Sequence, residues 1–408
     1  MKTLFIPFFE GEMTMKKLTF CVFLVLFSLT AALQARGFEP KFKKLVLSTD
    51  FDTEGAAAAD FNNDGIVDVA AGPYWYEGPD FTKKHHIFEG QNYDPESYSI
   101  SFLNFTYDFN GDGWADLLVC PHPGQTGYWY ENPKGEEKLW EPHEASIELA
   151  NESQNFLDVD GDGEPELVFN RIGKFGFGKP NKDKPYEPWT FFQVSPDDPK
   201  YQHYYHGSGA GDINGDGKVD LLEKDGWYEQ PESISATPWP FHPFHFSDAA
   251  SHILVTDVDG DGLNDVITPM HCHLYGLVWW KQVRAADGTI DFEKNELIPS
   301  DPADDFFPKV SQLHSLSLVD LNGDGIDDFV TGKRYLAHGS NGDINPLDPP
   351  VLLWYEIQRT ADGPVLTPHV IDEDSGVGTQ VWTGLINDDD RPDILVGNKH
   401  GVFVFLSE

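Results

Sequence analysis

Beyond residue 37, short apolar runs alternate with turns rich in Asp, Asn and Gly. Runs at 67–71, 117–120, 167–170, 221–223, 266–268, 329–331 and 394–396 read as β-strands, each placed directly after an acidic turn. Further aromatic strands follow at 74–77, 128–133, 227–231, 278–280 and 353–356, centred on Trp75, Trp129, Trp227, Trp279, Trp280 and Trp354. Large flat side chains at one repeated position suit face-to-face sheet packing, so these aromatics are read as core. The 38 Gly and 29 Pro also favour turns and strands over long helices. An all-β chain is therefore expected.

One apolar run stands apart. Residues 18–33 follow Met15-Lys16-Lys17 and precede Leu33-Gln34-Ala35, so residues 1–35 read as a signal peptide with Met15 as the true start. The run is short for a membrane span, which needs about 20 residues. This predicts an exported protein, periplasmic, extracellular or at the cell surface, with one domain over 38–408. Cys21 would leave with the leader, and Cys120 and Cys272 are too few for a disulfide framework.

The acidic turns repeat. Asp60, Asn62, Asp64 and Asp68 recur as Asp108, Asn110, Asp112 and Asp116, as Asp158, Asp160, Asp162 and Glu166, and as Asp212, Asn214, Asp216 and Asp220. Two further copies are Asp257, Asp259, Asp261 and Asp265, and Asp320, Asn322, Asp324 and Asp328. These residues hold positions 1, 3, 5 and 9 of a nine-residue loop with Gly at position 6. Oxygen donors at that spacing, with a backbone carbonyl at position 7, make the flexible cage that Ca²⁺ prefers over Mg²⁺. Up to six calcium ions are expected. A seventh copy at 385–393 is eroded: Leu385 replaces the first ligand, Asp390 replaces the Gly and Pro392 follows, so it is expected to survive as a turn without calcium.

The starting positions are 48, 50, 54, 45, 63 and 65 residues apart, close to one four-stranded propeller blade plus variable loops. The Asp-x-Asx-x-Asp-Gly-x-x-Asp loop followed by a short apolar strand resembles the FG-GAP/VCBS repeats of integrin-like β-propellers. That resemblance spans the mature chain and implies calcium loops joining the first and second strands of each blade. After the seventh loop only two strands remain, and 43–48 is similar to 368–372, which precedes the seventh blade. The expected fold is thus a seven-bladed β-propeller with calcium-binding loops, closed by an N-terminal strand that completes the last blade.

Charge sharpens this picture. The 28 Lys+Arg against 68 Asp+Glu leave −40, which argues against nucleic-acid partners. Much of that acid is gathered in the loops. At the opposite ends of the inner strands, His206, His252 and His314 lie six, five and six residues before the first loop aspartate, roughly 17–20 Å from the calcium end at ~3.3 Å per residue. One of the three is expected to face away unless a bulge intervenes. The loops after the second strands add His122, Arg171, His271, His273, Arg334, Lys399 and His400 at equivalent places. His271 and His273 could ligate a metal, with Cys272 pointing elsewhere if the segment is a strand.

Cationic groups beside aromatics suit a carbohydrate or another acidic small ligand, with His122, Arg171, His206, His271, Lys399 and His400 in contact. Alternatively, His252 and His314, assisted by His273 or Arg334, act as base or as ligands of a transition metal such as Zn²⁺ in a lyase or dehydratase for uronic or keto-sugars. Gln312 to Asp320, leading into Asn322-Gly-Asp324-Gly325 and a Trp-Tyr strand, is similar to a propeller blade of aldos-2-ulose dehydratase, which implies such chemistry. Adhesion to another protein is the third alternative. No Gly-x-Ser-x-Gly elbow, phosphate loop or Cys-x-x-Cys pair is present.

Overall fold

The computed structural model describes residues 37–408, so the leader expected at 1–35 lies outside the described residues. All regular elements among these residues are β-strands. The local unit is four antiparallel strands joined in sequence. Ala57–Ala59, Asp68–Ala71, Tyr74–Glu77 and Lys83–His86 form one such sheet, and Leu313–Val319, Asp328–Lys333, Leu352–Thr360 and Gly363–Asp372 form another. Between them lie a seven-stranded and an eight-stranded sheet, each two units fused. In the first, Glu141–Leu157 pairs with Gln125–Glu131 through its early residues and with Glu166–Arg171 through its later ones. Left-handed backbone at Glu148 and Asn151 marks the change of partner (φ 53° and 77°). In the second, Ser208–Gly211 and His252–Thr256 meet over a short parallel contact.

The remaining sheet joins both ends of the described chain. Phe42–Ser48 pairs antiparallel with Gly401–Ser407, outside Asp393–Asn398 and Val381–Gly384. Lys43-Lys44 lies on that edge strand, where charge discourages further pairing.

Hydrophobic clusters fill the spaces between successive units. Phe61, Trp75 and Trp140 pack between the first and second, Phe102, Trp129 and Trp189 between the second and third, and Phe329, Trp279 and Tyr355 between the fifth and sixth. Another sets Val69, Ala71 and Tyr76 of the first unit against Ile386, Leu395 and Val404 of the last. The aromatic strands therefore serve packing, as their repeated position implied. Cys120 and Cys272 are buried and free. No helix among the described residues is long and apolar enough to cross a membrane.

Candidate functional site

Each acidic loop joins the first and second strands of its unit, as 60–68 does between Ala57–Ala59 and Asp68–Ala71. Its side chains first build the turn. In the first loop Asp60 accepts the Asp64 and Gly65 amides at 3.1 and 2.8 Å, Asn62 accepts the Asp64 amide at 2.9 Å, and Asp64 accepts the Ile66 amide at 2.8 Å. Gly65 is left-handed at φ 87°, a conformation that costs a residue with a Cβ. Position 9 is a clasp: Asp68 is buried and accepts the Phe61 amide at 2.9 Å and the Gly78 amide at 2.8 Å, tying loop to third strand. Asp116, Asp220, Asp265 and Asp328 repeat that double bond. Burial pushes the Asp116 carboxyl up to about 8 and that of Asp220 up to about 7. With three or four carboxylates per loop, the donor set suits a hard cation such as Ca²⁺.

The opposite ends of the inner strands hold the second cluster. His206, His273 and His314 come together with Cys272, one ligand atom from each lying within 4.8 Å of the others. His206 Nε2 and His273 Nε2 are 3.0 Å apart, a separation that requires one proton or one cation between the two lone-pair positions. Burial lowers the pKa of His206, His273 and His314, and for His314 the Arg334 guanidinium acts in the same direction. The imidazoles are therefore neutral near pH 7. Cys272 joins them, contrary to the strand reading, because 271–274 is a turn whose side chains do not alternate. His271 instead turns its Nδ1 to the His273 amide at 3.2 Å.

Arg334 does not await an acidic ligand. It is buried and donates from Nε to Glu54 at 2.9 Å, from Nη1 to Glu152 at 2.7 Å and from Nη1 to His314 Nε2 at 3.0 Å, with a further Nη2 contact to Glu54. Two buried carboxylates thus meet one guanidinium beside neutral imidazoles, with the buried Lys399 ammonium in electrostatic range of both. Asp343 adds a third carboxylate nearby, 2.9 Å from His338 Nδ1 and 3.9 Å from His273 Nδ1.

His252 does not join the cluster. It lines a separate cavity of about 320 Å³ between the inner strands, with Asn104, Gln154, Ser317 and Gln380. Its place one residue further along the strand carries it below the other two. Arg171 also lies apart, donating to Ser146 at 2.6 Å and covering the Phe191 ring, and His400 pairs with Asp374 at 3.0 Å. His122 sits among Tyr98, Phe102 and Tyr204, whose ring centroids lie 5.2–5.6 Å away. Lys399 caps the Leu336 carbonyl at 2.9 Å with its amine 4.8 Å from the Tyr98 ring centre.

Glu54, Glu152, His338 and Asp343 were not singled out in the sequence. Glu54 and Glu152 had a signal: like His206 and His314, each precedes its loop's first aspartate by six residues. Phe102, Ser251 and Thr379 hold the same register. His338 and Asp343 lie in an irregular connection that no periodicity describes.

Comparison with known proteins bears on the repeat and on the fold. A model described as an FG-GAP-like repeat matches residues 108–169. No curated protein matches the chain. Among solved structures, BBS1N in complex with ARL6DN, soaked with lead, aligns at TM-score 0.52 and 10% identity over 91% of this chain and 97% of that chain. A lectin of Agrocybe aegerita that recognises non-reducing terminal N-acetylglucosamine aligns at TM-score 0.46 and 15% identity over 91% and 96%. At 10% identity the first likeness concerns fold alone. This chain is an all-β protein of propeller type that carries an FG-GAP-like repeat.

Proposed function

We propose that the protein is an exported seven-bladed propeller, closed by its N-terminal strand and stabilised by calcium, whose strand-entry face carries a transition-metal centre acting on an oxidised sugar as a lyase or dehydratase. One observation carries the reading: three neutral imidazoles from different units, His206, His273 and His314, converge beside the buried carboxylates Glu54 and Glu152. A divalent transition metal held there would polarise a carbonyl or hydroxyl oxygen of the ligand. Export rests on the leader-like sequence alone. Four antiparallel strands around each loop, and the pairing of Phe42–Ser48 with Gly401–Ser407, support the closed ring.

His338 is the candidate base. It is about one-third exposed, and Asp343 fixes its Nδ1, leaving Nε2 for proton transfer, 4.5 Å between ring centres from His273. In an elimination, this base takes the proton next to the carbonyl and the C–H pair becomes the double bond. The oxygen on the next carbon departs with its bonding pair and is protonated as water or alcohol. Arg334 holds Glu54 and Glu152 in place rather than touching substrate.

Non-catalytic carbohydrate binding is the second reading. Tyr204, 57% exposed beside His122, offers a flat face to a sugar ring. Elemental analysis of the purified protein separates the two. About one transition-metal equivalent per chain, lost in His273→Ala, together with ultraviolet-absorbing products from uronic or 3-keto sugars, is expected of the enzyme. His338→Asn should then retain metal while turnover falls about 10²–10⁴-fold. A protein that neither holds nor takes up zinc, and binds sugars unchanged, excludes the catalytic reading.

A further inference from the structure

The six complete loops are not alike. In each unit the third strand places one residue opposite position 9, as the pairing of Val69 with Tyr76, Leu117 with Tyr130 and Leu167 with Gly178 fixes for the first three. That residue is Glu77, Glu131, Glu229 and Glu356 in the first, second, fourth and sixth units. It is Lys179 and Lys281 in the third and fifth.

Two other positions change with it. Loop position 3 is Asn62, Asn110, Asn214 and Asn322 where the strand carries Glu, and Asp160 and Asp259 where it carries Lys. In the Glu units an outer-strand histidine lies against the tryptophan ring and bonds the Glu: His85 to Glu77 at 3.2 Å, His143 to Glu131 at 3.0 Å, His242 to Glu229 at 2.8 Å and His369 to Glu356 at 3.1 Å. In the Lys units the corresponding outer-strand residues are Phe192 and Asn295. Three positions thus switch together, twice.

The geometry gives the switch its meaning. Lys179 Nζ contacts Asp160 and lies 2.6 Å from Asp162 and 2.9 Å from Glu166, joining positions 3, 5 and 9. Lys281 Nζ contacts Asp259 and lies 3.0 Å from Asp261. Lys134 and Lys218 approach the second and fourth loops, but each meets position 5 alone, at 2.9 and 3.8 Å. A calcium ion bound at about 2.4 Å to the oxygens that hold Lys179 would sit within about 5 Å of its ammonium. Two such cations repel strongly where solvent is partly excluded. One ammonium thus already lies among the donors of the third and fifth loops, where a calcium ion would otherwise sit, offsetting one of the four carboxylates in each.

We propose that the loops form two classes: four that take calcium, in the first, second, fourth and sixth units, and two in which Lys179 and Lys281 supply the cation. This rests on reading the complete loops as calcium sites, and the count tests both separately. Chelator-stripped protein dialysed against calcium chloride is expected to bind four equivalents per chain. Lys179→Met with Lys281→Met should raise the count to six and lower the thermal midpoint measured in chelator, with calcium restoring it. If that variant does not fold, Asp160→Asn with Lys179→Glu, which copies the second unit, should raise the count to five. Six equivalents in the unaltered protein, or four retained in the folded variants, would overturn the proposal. No bound calcium at all would overturn the loop reading, and the proposal with it.

Discussion

His252 shows how much one residue of register decides. At five rather than six residues before its loop it is buried among Gln154, Asn104 and Gln380, and desolvation lowers its pKa to about 4. An unfolded chain binds a proton at about 6.5, so between pH 4 and 6.5 the unfolded state holds more protons and folding weakens as pH falls. The stability withheld by keeping this ring neutral is thus present above pH 6.5 and lost toward pH 4. His252→Gln should flatten the thermal midpoint over that window, and an unchanged pH slope would contradict the assignment. The offset of five against six was visible in the sequence, as was a divergence of one histidine from the other two. Glu54 and Glu152 were equally visible in register, but a search restricted to imidazoles and cations passes over carboxylates that hold a cation in place. His338 and Asp343 had no such register to reveal them.

At the scale of the element, the eroded seventh loop shows turn building without the full set of oxygen donors. It has Leu385 at position 1 and Asp390 at position 6, yet Asp390 still adopts the left-handed backbone at φ 59°. Asp393 keeps the clasp, accepting the Ile386 and Ser407 amides at 2.8 Å each. Position 9 is retained because buried amides need an acceptor whether or not calcium binds. Asp393→Ala should therefore cost on the order of 2–3 kcal/mol in chemical denaturation by orphaning those amides, without changing calcium stoichiometry. A loss of bound calcium would show that the seventh loop is a site after all. Strand positions and loop boundaries were legible because apolar alternation and Asp-Gly turns are local signals. The lysine in the third and fifth loops was not, since Lys179 and Lys281 reach them from another strand, 13 and 16 residues past position 9.

For the whole molecule, the sheet that joins the two ends of the described chain matters most. Phe42–Ser48 covers the edge of Gly401–Ser407, and Lys44 pairs with Asp372 at 2.7 Å across to the neighbouring unit. Removing residues 37–48 should expose that edge, lower the thermal midpoint and produce concentration-dependent association in light scattering. A truncated protein that stays monomeric and equally stable would show that the strand is dispensable. The same pairing imposes an order in time. Every other unit closes within about sixty residues of chain, but the first strand must stay unpaired until the last has been made, and long-range contacts of this kind form slowly. During synthesis, the nascent chain therefore carries a waiting strand, and any factor that holds it open until the C-terminal residues arrive would govern the yield of native protein.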